Sequence, residues 1–361
     1  MIELAPLHGG QLRKIADHFG IPQSDLLDFS ANINPDGPPA GVFSILRQAL
    51  DEPSILTNYP DLDETELRQS LAHYANVRPD NIVVANGFVP LLDGVLKVLP
   101  VRKCLVPAPA FVEYRRVLNQ HKIEVVSPRP ESSSCFRYEI GDLINGSHEA
   151  ILLANPQNPS GVLCPREMML RIVEEAAKRK IYVLLDEAFI DYCPEASLVR
   201  EADRFQNLIV FRSVTKFFGT AGLRAAYSIA NAELRDQVQE AIAPWSVTSL
   251  ASRAACAAVR DEAYARRSIS LNNERRDQMQ TALGELGIHV CPSAANFLLL
   301  CLPSSIDSQQ VWERLIREHH IILRNCFNYE GLSRRHLRTA VRADLENERL
   351  MEALAHAVEN G

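Results

Sequence analysis

The sequence of 361 residues lacks the features that mark membrane and secreted proteins. Its longest strongly apolar stretch runs only from Phe297 to Leu302, far short of the roughly 18 residues that a membrane-spanning helix needs. A signal peptide pattern, charged and then apolar, is also missing from the first ten residues, which read MIELAPLHGG. These absences predict a soluble cytoplasmic protein that does not act at a membrane.

An excess of basic charge is likewise missing. The chain has 38 Lys and Arg against 45 Asp and Glu, a formal net charge of −7, which argues against nucleic acid as its main partner. Glycine and proline, at 16 and 21 residues, are close to average usage and exclude collagen-like or disordered compositions. The length suits one large or two medium domains, each able to bury a core.

The eight cysteines include no C-x-x-C pair. Metal ligands or redox pairs on one loop need close spacing, and none of these cysteines has it. Several lie in apolar surroundings, as Cys301 does in FLLLCL, where a free thiol behaves as a small hydrophobic group. We therefore predict reduced, buried thiols and no metal site. The cysteines occupy positions 104, 135, 164, 193, 256, 291, 301 and 326.

The middle of the chain alternates between strand and helix patterns. Short apolar runs at 81–85, 150–154, 181–185 and 208–211 predict buried strands, and helical spacing of apolar residues separates them. Strand, helix and strand within some 35 residues is typical of a mostly parallel sheet flanked by helices. No G-x-G-x-x-G follows any of these strands, which excludes a Rossmann dinucleotide site.

The C-terminal part repeats the alternation on a smaller scale. After a helical region at about 231–290, strands are predicted at 296–300, 321–324 and 336–341, with a helix from Ser308 to His319 and another from Glu346. We therefore expect an N-terminal arm or lid at 1–25 that joins the small domain, a large domain at 26–250 and a small α/β domain at 251–361.

Polar residues follow the predicted strands of the large domain, where ligands bind in open parallel sheets. Each feature alone is weak, because a lone lysine is usually a surface residue and a strand-terminal aspartate often caps a helix. Together, in a fixed order at adjacent strand ends, they predict a ligand site. They are Asn86-Gly87, the loop 155–161 (NPQNPSG), Asp186, the segment Ser213 to Lys216, and Arg224.

This set matches the chemical needs of pyridoxal phosphate. The cofactor requires an amine that forms its imine bond, and an acidic partner that keeps the pyridine nitrogen protonated. It also requires a phosphate cradle of N–H groups, hydroxyls and a guanidinium, for which the helix after Asn86-Gly87 offers free N–H groups.

At these residues the chain resembles the fold type I pyridoxal-phosphate enzymes, the aspartate aminotransferase superfamily. The motifs are NPQNPSG (155–161), DEAF (186–189), SVTKFFGTAGLR (213–224) and HLRTAVR (336–342). The resemblance implies that Lys216 forms the covalent link to the cofactor, that Asp186 pairs with the pyridinium nitrogen and that Asn158 binds the ring hydroxyl oxygen. It also implies a homodimer, in which Tyr59 reaches the cofactor phosphate of the neighbouring subunit. The phosphate-binding residues implied in the same chain are Asn86, Gly87, Phe88, Ser213, Thr215 and Arg224.

Within the superfamily the chain is most similar to the L-threonine-O-3-phosphate decarboxylase family, which is related to the histidinol-phosphate aminotransferases. The local evidence is HGG (8–10), LLDFSANINP (26–35), PWSV (244–247) and the stretch 328–350. The similarity implies decarboxylation of threonine phosphate, or a close relative such as serine phosphate, to an aminoalkyl phosphate and CO2 for cobalamin-type synthesis. The implied substrate-binding residues are His8, Gly9, Asn32, Asn158, Arg324 and Arg338, of which Arg338 binds the carboxylate.

Aminotransferase chemistry of the histidinol-phosphate type remains the alternative. The two reactions differ in which bond of the substrate carbon stands perpendicular to the cofactor ring. This orientation cannot be deduced from the sequence. Phe189 favours the decarboxylase, because many aminotransferases of this group have a tyrosine there that donates to the ring oxygen. The segment Phe88-Val89-Pro90 departs from the family pattern, and Pro90 has no N–H to offer a phosphate.

Overall fold

The computed structural model describes residues 9–359, apart from the side chains of Ser132 and Glu359. Thirteen α-helices and thirteen strands lie within this range. The helices are α1 (Leu12–Phe19), α2 (Ala40–Leu50), α3 (Ser54–Thr57), α4 (Thr65–Ala75), α5 (Phe88–Val98), α6 (Val112–Gln120), α7 (Ile140–Ile144), α8 (Arg166–Lys178), α9 (Ala232–Ala241), α10 (Ser249–Val259), α11 (Glu262–Glu285), α12 (Ser308–His319) and α13 (Asp344–Glu359).

The strands are mostly short. They are β1 (Leu27–Asp28), β2 (Ile82–Ala85), β3 (Lys103–Leu105), β4 (Glu124–Val126), β5 (Ala150–Ala154), β6 (Tyr182–Asp186), β7 (Leu208–Ser213), β8 (Ala226–Ile229), β9 (His289–Val290), β10 (Phe297–Cys301), β11 (Ile321–Ile322), β12 (Arg324–Asn325) and β13 (His336–Ala340).

A seven-stranded sheet forms the centre of the larger part, in the order β2-β8-β7-β6-β5-β3-β4. All neighbours pair in parallel except β8, which is antiparallel to both β2 and β7. Strands β5, β6 and β7 are buried at nearly every position, as expected where helices cover both faces of a sheet. The predicted fold, a mostly parallel sheet flanked by helices, is confirmed.

Alternate residues of each central strand contribute to different hydrophobic cores. In β5, Ile151 and Leu153 pack with apolar residues of α4, α8 and α10 on one face of the sheet. Leu152 points to the other face and packs with α5, α6 and α9. Helices thus cover both faces of the sheet. The carboxyl ends of its strands stay uncovered, and the loops that follow them carry the polar residues.

The C-terminal part has its own sheet and core. Four antiparallel strands pair in the order β12-β13-β10-β9, and one face packs on α12 and α13 around the buried Trp312. The N-terminal segment belongs to the same core through Ile15 and Phe29, and β1 pairs with β11 in parallel. The boundaries at 25 and 250 remain predictions, but α1 does pack with the C-terminal core.

The strand predicted at 321–324 is divided between two sheets. Ile321–Ile322 pairs with β1, whereas Arg324–Asn325 pairs with β13, and Leu323 lies between them. The last helix begins at Asp344, two residues before its predicted start. No helix among residues 9–359 combines the length and the apolar character required to cross a membrane.

Candidate active site

A cavity of about 280 Å3 lies at the carboxyl ends of β6 and β7 and reaches the sheet of the C-terminal part. The structure brings twelve of the predicted site residues together in its lining. They are Gly9, Asn32, Gly87, Phe88, Asn158, Asp186, Ser213, Thr215, Lys216, Arg224, Arg324 and Arg338.

Three predicted site residues are not part of this lining. Asn86 is exposed, although the turn that contains it positions Gly87 and Phe88. Tyr59 is 79% exposed, and its ring stacks on that of Trp245 at 4.6 Å between centroids. His8 lies outside the described residues. The roles predicted for these three residues therefore stay predictions.

Lys216 lies three residues after the end of β7 and is partly buried in the cavity wall. The next two residues, Phe217 and Phe218, are part of the hydrophobic core, so they anchor the backbone on which the lysine stands. Burial lowers the pKa of Lys216 to about 8, with Arg224 and Arg338 contributing in the same direction and Asp186 opposing them. A substantial fraction of the amine is thus neutral near pH 8, as a nucleophile toward an aldehyde must be.

Asp186 ends β6 at the bottom of the same cavity. Its Oδ2 accepts a hydrogen bond of 2.5 Å from the Tyr114 hydroxyl, and its Oδ1 accepts one of 3.0 Å from the Ala188 amide. Burial raises the pKa of Asp186 to about 6, and these donors and Lys216 limit the rise. The carboxylate is therefore mainly ionised at neutral pH and can accept from a protonated ring nitrogen.

A buried ion cluster outside the cavity lining joins the strands that position Asp186 and Lys216. The Arg212 guanidinium donates to Asp191 and lies 3.5 Å from Glu187, and the Tyr74 hydroxyl donates to Asp191 at 2.7 Å. Because Arg212 lies on β7 and Glu187 directly follows β6, the ion pair connects these neighbouring strands. Sequence patterns provided no sign of this cluster.

The geometry around Gly87 fits a phosphate group. Helix α5 begins at Phe88, so Phe88 and Val89 bring free N–H groups of its first turn to the cavity lining, which also contains Arg224. Gly87 has a φ of 96°, and a Cβ there would lie 2.7 Å from Nη2 of Arg224, so a side chain would fill the space a phosphate needs. The hydroxyls of Ser213 and Thr215, 2.7 Å apart, complete the anion-binding set.

Two buried guanidiniums stand opposite each other at the other end of the cavity. Arg324 and Arg338 pair directly across β12 and β13. Arg338 donates to Oδ1 of Asn158 at 2.6 Å and to the carbonyl of Ser30 at 3.1 Å. Arg324 donates to Oδ1 of Asn328 at 3.0 Å. These contacts hold both guanidiniums in the cavity lining, where each could bind an anionic group.

The N-terminal segment closes one side of this region. Gly10 donates its amide to the Ser30 hydroxyl at 2.9 Å. Gly9 lies so close to the chain that a Cβ would stand 2.0 Å from the Ser30 carbonyl oxygen, so only glycine fits at this position. Gly9 has no side chain, so the substrate contact predicted for it would be made by its backbone atoms.

Sequence reasoning missed several residues of the site. Tyr114, on α6, contacts Asp186 only because the helix packs above the sheet, and no strand-end pattern marks it. Phe189 was noted for its lack of a hydroxyl, and its ring lines the cavity and packs edge-on against Phe297 at 4.9 Å. The lining residues outside the predicted set are Ser30, Ala31, Val89, Phe111, Ala188, Phe189 and Tyr329.

This chain is similar in sequence and in structure to known proteins. The aminotransferase class I and II family matches residues 24–356. A threonine-phosphate decarboxylase of Salmonella typhimurium is 34% identical over 97% of this chain and 96% of its own length. The solved histidinol-phosphate aminotransferase of Clostridium acetobutylicum is 27% identical, with a TM-score of 0.86 over 93% of this chain and 100% of its own.

A further similar structure was solved with a bound cofactor. The histidinol-phosphate aminotransferase of Sinorhizobium meliloti, in complex with pyridoxal 5'-phosphate, has a TM-score of 0.87 over 100% of this chain and 98% of its own. At 21% identity, this similarity concerns the fold.

Proposed function

The chain belongs to the aminotransferase class I and II family, and we propose that it decarboxylates L-threonine O-3-phosphate or a close phosphorylated amino acid such as serine phosphate. Its cofactor is pyridoxal 5'-phosphate. The products would be CO2 and an aminoalkyl phosphate of the kind used in cobalamin-type synthesis. The relative named threonine-phosphate decarboxylase, which this chain matches almost from end to end, is the observation that favours this reaction.

The cavity residues fit the cofactor. Pyridoxal phosphate supplies an aldehyde that reacts with amines and a ring that accepts electrons from the substrate carbon. Lys216 is the amine in the lining, and Asp186 would hold a proton on the ring nitrogen. Gly87, the hydroxyls of Ser213 and Thr215, and Arg224 would hold its phosphate.

The two buried arginines support a substrate with two anionic groups. We assign the carboxylate to Arg338, which Asn158 and Ser30 fix in place, and the phosphate to Arg324 on the adjacent strand. Bidentate binding by two fixed guanidiniums would orient the substrate carbon relative to the ring. Lys216 is the one amine among the described lining residues, so its Nζ would supply the proton that replaces CO2.

Phe189 also favours the decarboxylase. Its phenyl ring lines the cavity and has no hydroxyl that could donate toward the cofactor. The cofactor ring would therefore lack the additional hydrogen bond that a tyrosine at this position provides.

One assay separates the two reactions. The purified holoenzyme is incubated with L-threonine O-3-phosphate, and CO2 is measured with and without 2-oxoglutarate. We expect CO2 release that does not depend on 2-oxoglutarate and that is lost in Lys216→Ala. Conversion of the cofactor to pyridoxamine phosphate without CO2, together with 2-oxoglutarate-dependent turnover of histidinol phosphate, would establish the aminotransferase instead.

We also propose a homodimer in which Tyr59 completes the site of the partner. Tyr59 does not line the cavity of its own chain, and it forms an exposed aromatic pair with Trp245, at 79% and 45% exposure. Exposed aromatic side chains of this kind are typical of a protein–protein contact.

A mixed dimer tests this arrangement. Tyr59→Phe and Lys216→Ala each impair the homodimer, because one lacks the phosphate contact and the other the reactive amine. If Tyr59 acts across the interface, a dimer that combines the two chains regains one intact site. No recovery of activity in the mixed dimer, or a monomer in sedimentation, would contradict the proposal.

A further inference from the structure

Two cysteines and a histidine meet on the sheet of the C-terminal part, far apart in sequence. His289 lies on β9 and Cys291 directly follows it, whereas Cys135 comes from the loop before α7. Their ligand atoms all lie within 4.8 Å of one another. The distance from Sγ of Cys135 to Nε2 of His289 is 3.7 Å. These three residues are called the thiol–imidazole cluster below.

The spacing of the cluster matches the coordination sphere of zinc. Tetrahedral zinc binds thiolate sulfur at about 2.3 Å and imidazole nitrogen at about 2.0 Å, which places sulfur and nitrogen about 3.5 Å apart. The two groups lie at hydrogen-bond distance, and the observed 3.7 Å is also close to the separation of two ligands of one ion. We propose that the cluster binds one Zn2+ ion through Cys135, Cys291 and His289, with water in the fourth position.

The surroundings of the cluster suit a dication that can enter from solvent. Both thiols are buried, at 7% and 4% exposure, whereas His289 is exposed and leaves one side open. Two thiolates would balance the charge of the ion.

Backbone strain at Cys135 is a second observation that points to a ligand. Cys135 and Phe136 have φ values of 53° and 63°, a left-handed conformation that residues other than glycine rarely adopt, here at two successive positions. Such strain persists where the surroundings hold it, and it occurs often at binding sites. The Sγ atom of Cys135 at this position lies 3.7 Å from Nε2 of His289.

The ion would connect the cluster to the region of the two arginines. Cys135 and Cys291 share a small core with Leu299, which pairs with Arg338, and with Tyr329, whose ring lies 5.2 Å from the Arg324 guanidinium. Tyr329 also lines the active-site cavity. A metal here would fasten the loop before α7 to the sheet that presents both arginines, which is a structural rather than a catalytic role.

Cobalt substitution tests the site in the holoenzyme. The protein is treated with a chelator, kept in a reductant that does not bind metals, and titrated with Co2+, whose thiolate complexes absorb in the near ultraviolet. We expect one equivalent per chain, displacement by Zn2+, and at least about tenfold weaker binding in Cys291→Ala and His289→Ala. Cys256→Ala is the matched control, because this buried thiol lies in α10, away from the cluster.

Thermal unfolding provides an independent measurement. Zinc at about a hundred times its Kd would raise the Tm by about 3–4 °C in wild type and Cys256→Ala, and by about half of that or less in His289→Ala. His289 is exposed, so its substitution leaves the fold intact even if Cys291→Ala fails to fold. Absence of a thiolate band, or a band of equal affinity in His289→Ala, would overturn the proposal. So would a Cys135–Cys291 disulfide whose reduction restores no metal binding.

Discussion

The Tyr114 hydroxyl donates a 2.5 Å hydrogen bond to Oδ2 of Asp186. Both side chains are buried, and they come from different layers of the fold, a helix above the sheet and the end of a central strand. Burial alone would favour the neutral acid, and Tyr114 is the largest single contribution against it. A residue with no predicted role thus maintains the charge on which cofactor chemistry depends.

Tyr114→Phe should therefore impair activity in a pH-dependent way. Without its main donor, the pKa of Asp186 rises above its value of about 6, so the carboxylate is partly protonated at pH 7. Loss of one hydrogen bond to a charged group, about 1.5 kcal/mol, moves the titration of Asp186 upward by about one pH unit, which predicts roughly a twofold lower kcat/KM at pH 7 and almost no loss at pH 8.5. The pH profile of kcat/KM measures this. Tyr182→Phe, at the far end of β6, is the control, and an equal loss at every pH would contradict the assignment.

The rate at which the apoenzyme takes up the cofactor should depend on pH through the titration of Lys216. Its pKa of about 8 means that the reactive neutral amine increases as pH rises toward 8 and changes little well above it. Arg338 lowers this pKa, so Arg338→Gln should move the midpoint of the uptake rate upward by about 0.5 pH unit. Borohydride trapping of the covalent adduct measures the rate.

The control for this shift is Arg349→Gln, which removes an equal charge from an exposed site outside the cavity. Its midpoint should match that of wild type. A midpoint that stays in place in Arg338→Gln would show that Arg338 does not set the pKa of the lysine.

The central strands could be predicted because they are local patterns. Strands β5, β6 and β7 are continuous apolar runs, as buried parallel strands are, and their assigned bounds differ from the structure by at most two residues. The three-residue strands β3 and β4 present too few residues for any periodicity. Residues 321–324 are divided between two sheets because they pair with strands that are distant in sequence. A local sequence pattern therefore cannot predict this division.

The same distinction applies to the site. Asp186 is the last residue of β6 and Lys216 lies three residues after β7, so the rule that ligands bind at strand ends located them. Tyr114 reaches the cavity through helix packing, and Ser30 does so through a backbone carbonyl that any residue would provide. Cys135 and Cys291 are 156 positions apart, and spacing rules for metal ligands address only short intervals.

Gly87→Ala should weaken cofactor binding with little effect on the apoenzyme. The new Cβ would stand 2.7 Å from Nη2 of Arg224, and a φ of 96° is unfavourable for alanine. Displacement of Arg224 from the phosphate cradle predicts at least a tenfold higher Kd for pyridoxal phosphate, since charge-assisted bonds of this kind contribute about 1.5–3 kcal/mol. Fluorescence titration of the apoenzyme measures this Kd. Gly41→Ala, where a Cβ meets nothing within 4 Å, should bind the cofactor as wild type does, and equal affinity of the two variants would contradict the cradle.

The buried carboxyl of Glu64 should make the free energy of unfolding depend on pH, and a single substitution should remove this dependence. It is buried at the start of α4, where Oε2 accepts a 3.0 Å hydrogen bond from Ser252. Burial raises its pKa to about 7, against 4.5 for the ordinary side chain, and Asp61 adds to the rise. The folded state thus holds the proton more tightly than the unfolded chain, so this contribution is greatest below pH 4.5 and is lost as pH rises through 7.

Glu64→Gln keeps an acceptor for Ser252 and cannot ionise. Its free energy of unfolding should exceed that of wild type by about 1 kcal/mol at pH 8, and this advantage should shrink as pH falls toward 5, because wild-type Glu64 is then neutral. Urea unfolding at the two pH values measures the difference. Glu66→Gln, on the exposed face of the same helix, should change stability equally little at both, since its ion pair with Arg260 is exposed. An advantage of Glu64→Gln that is the same at pH 5 and pH 8 would mean that the carboxyl of Glu64 does not titrate between them.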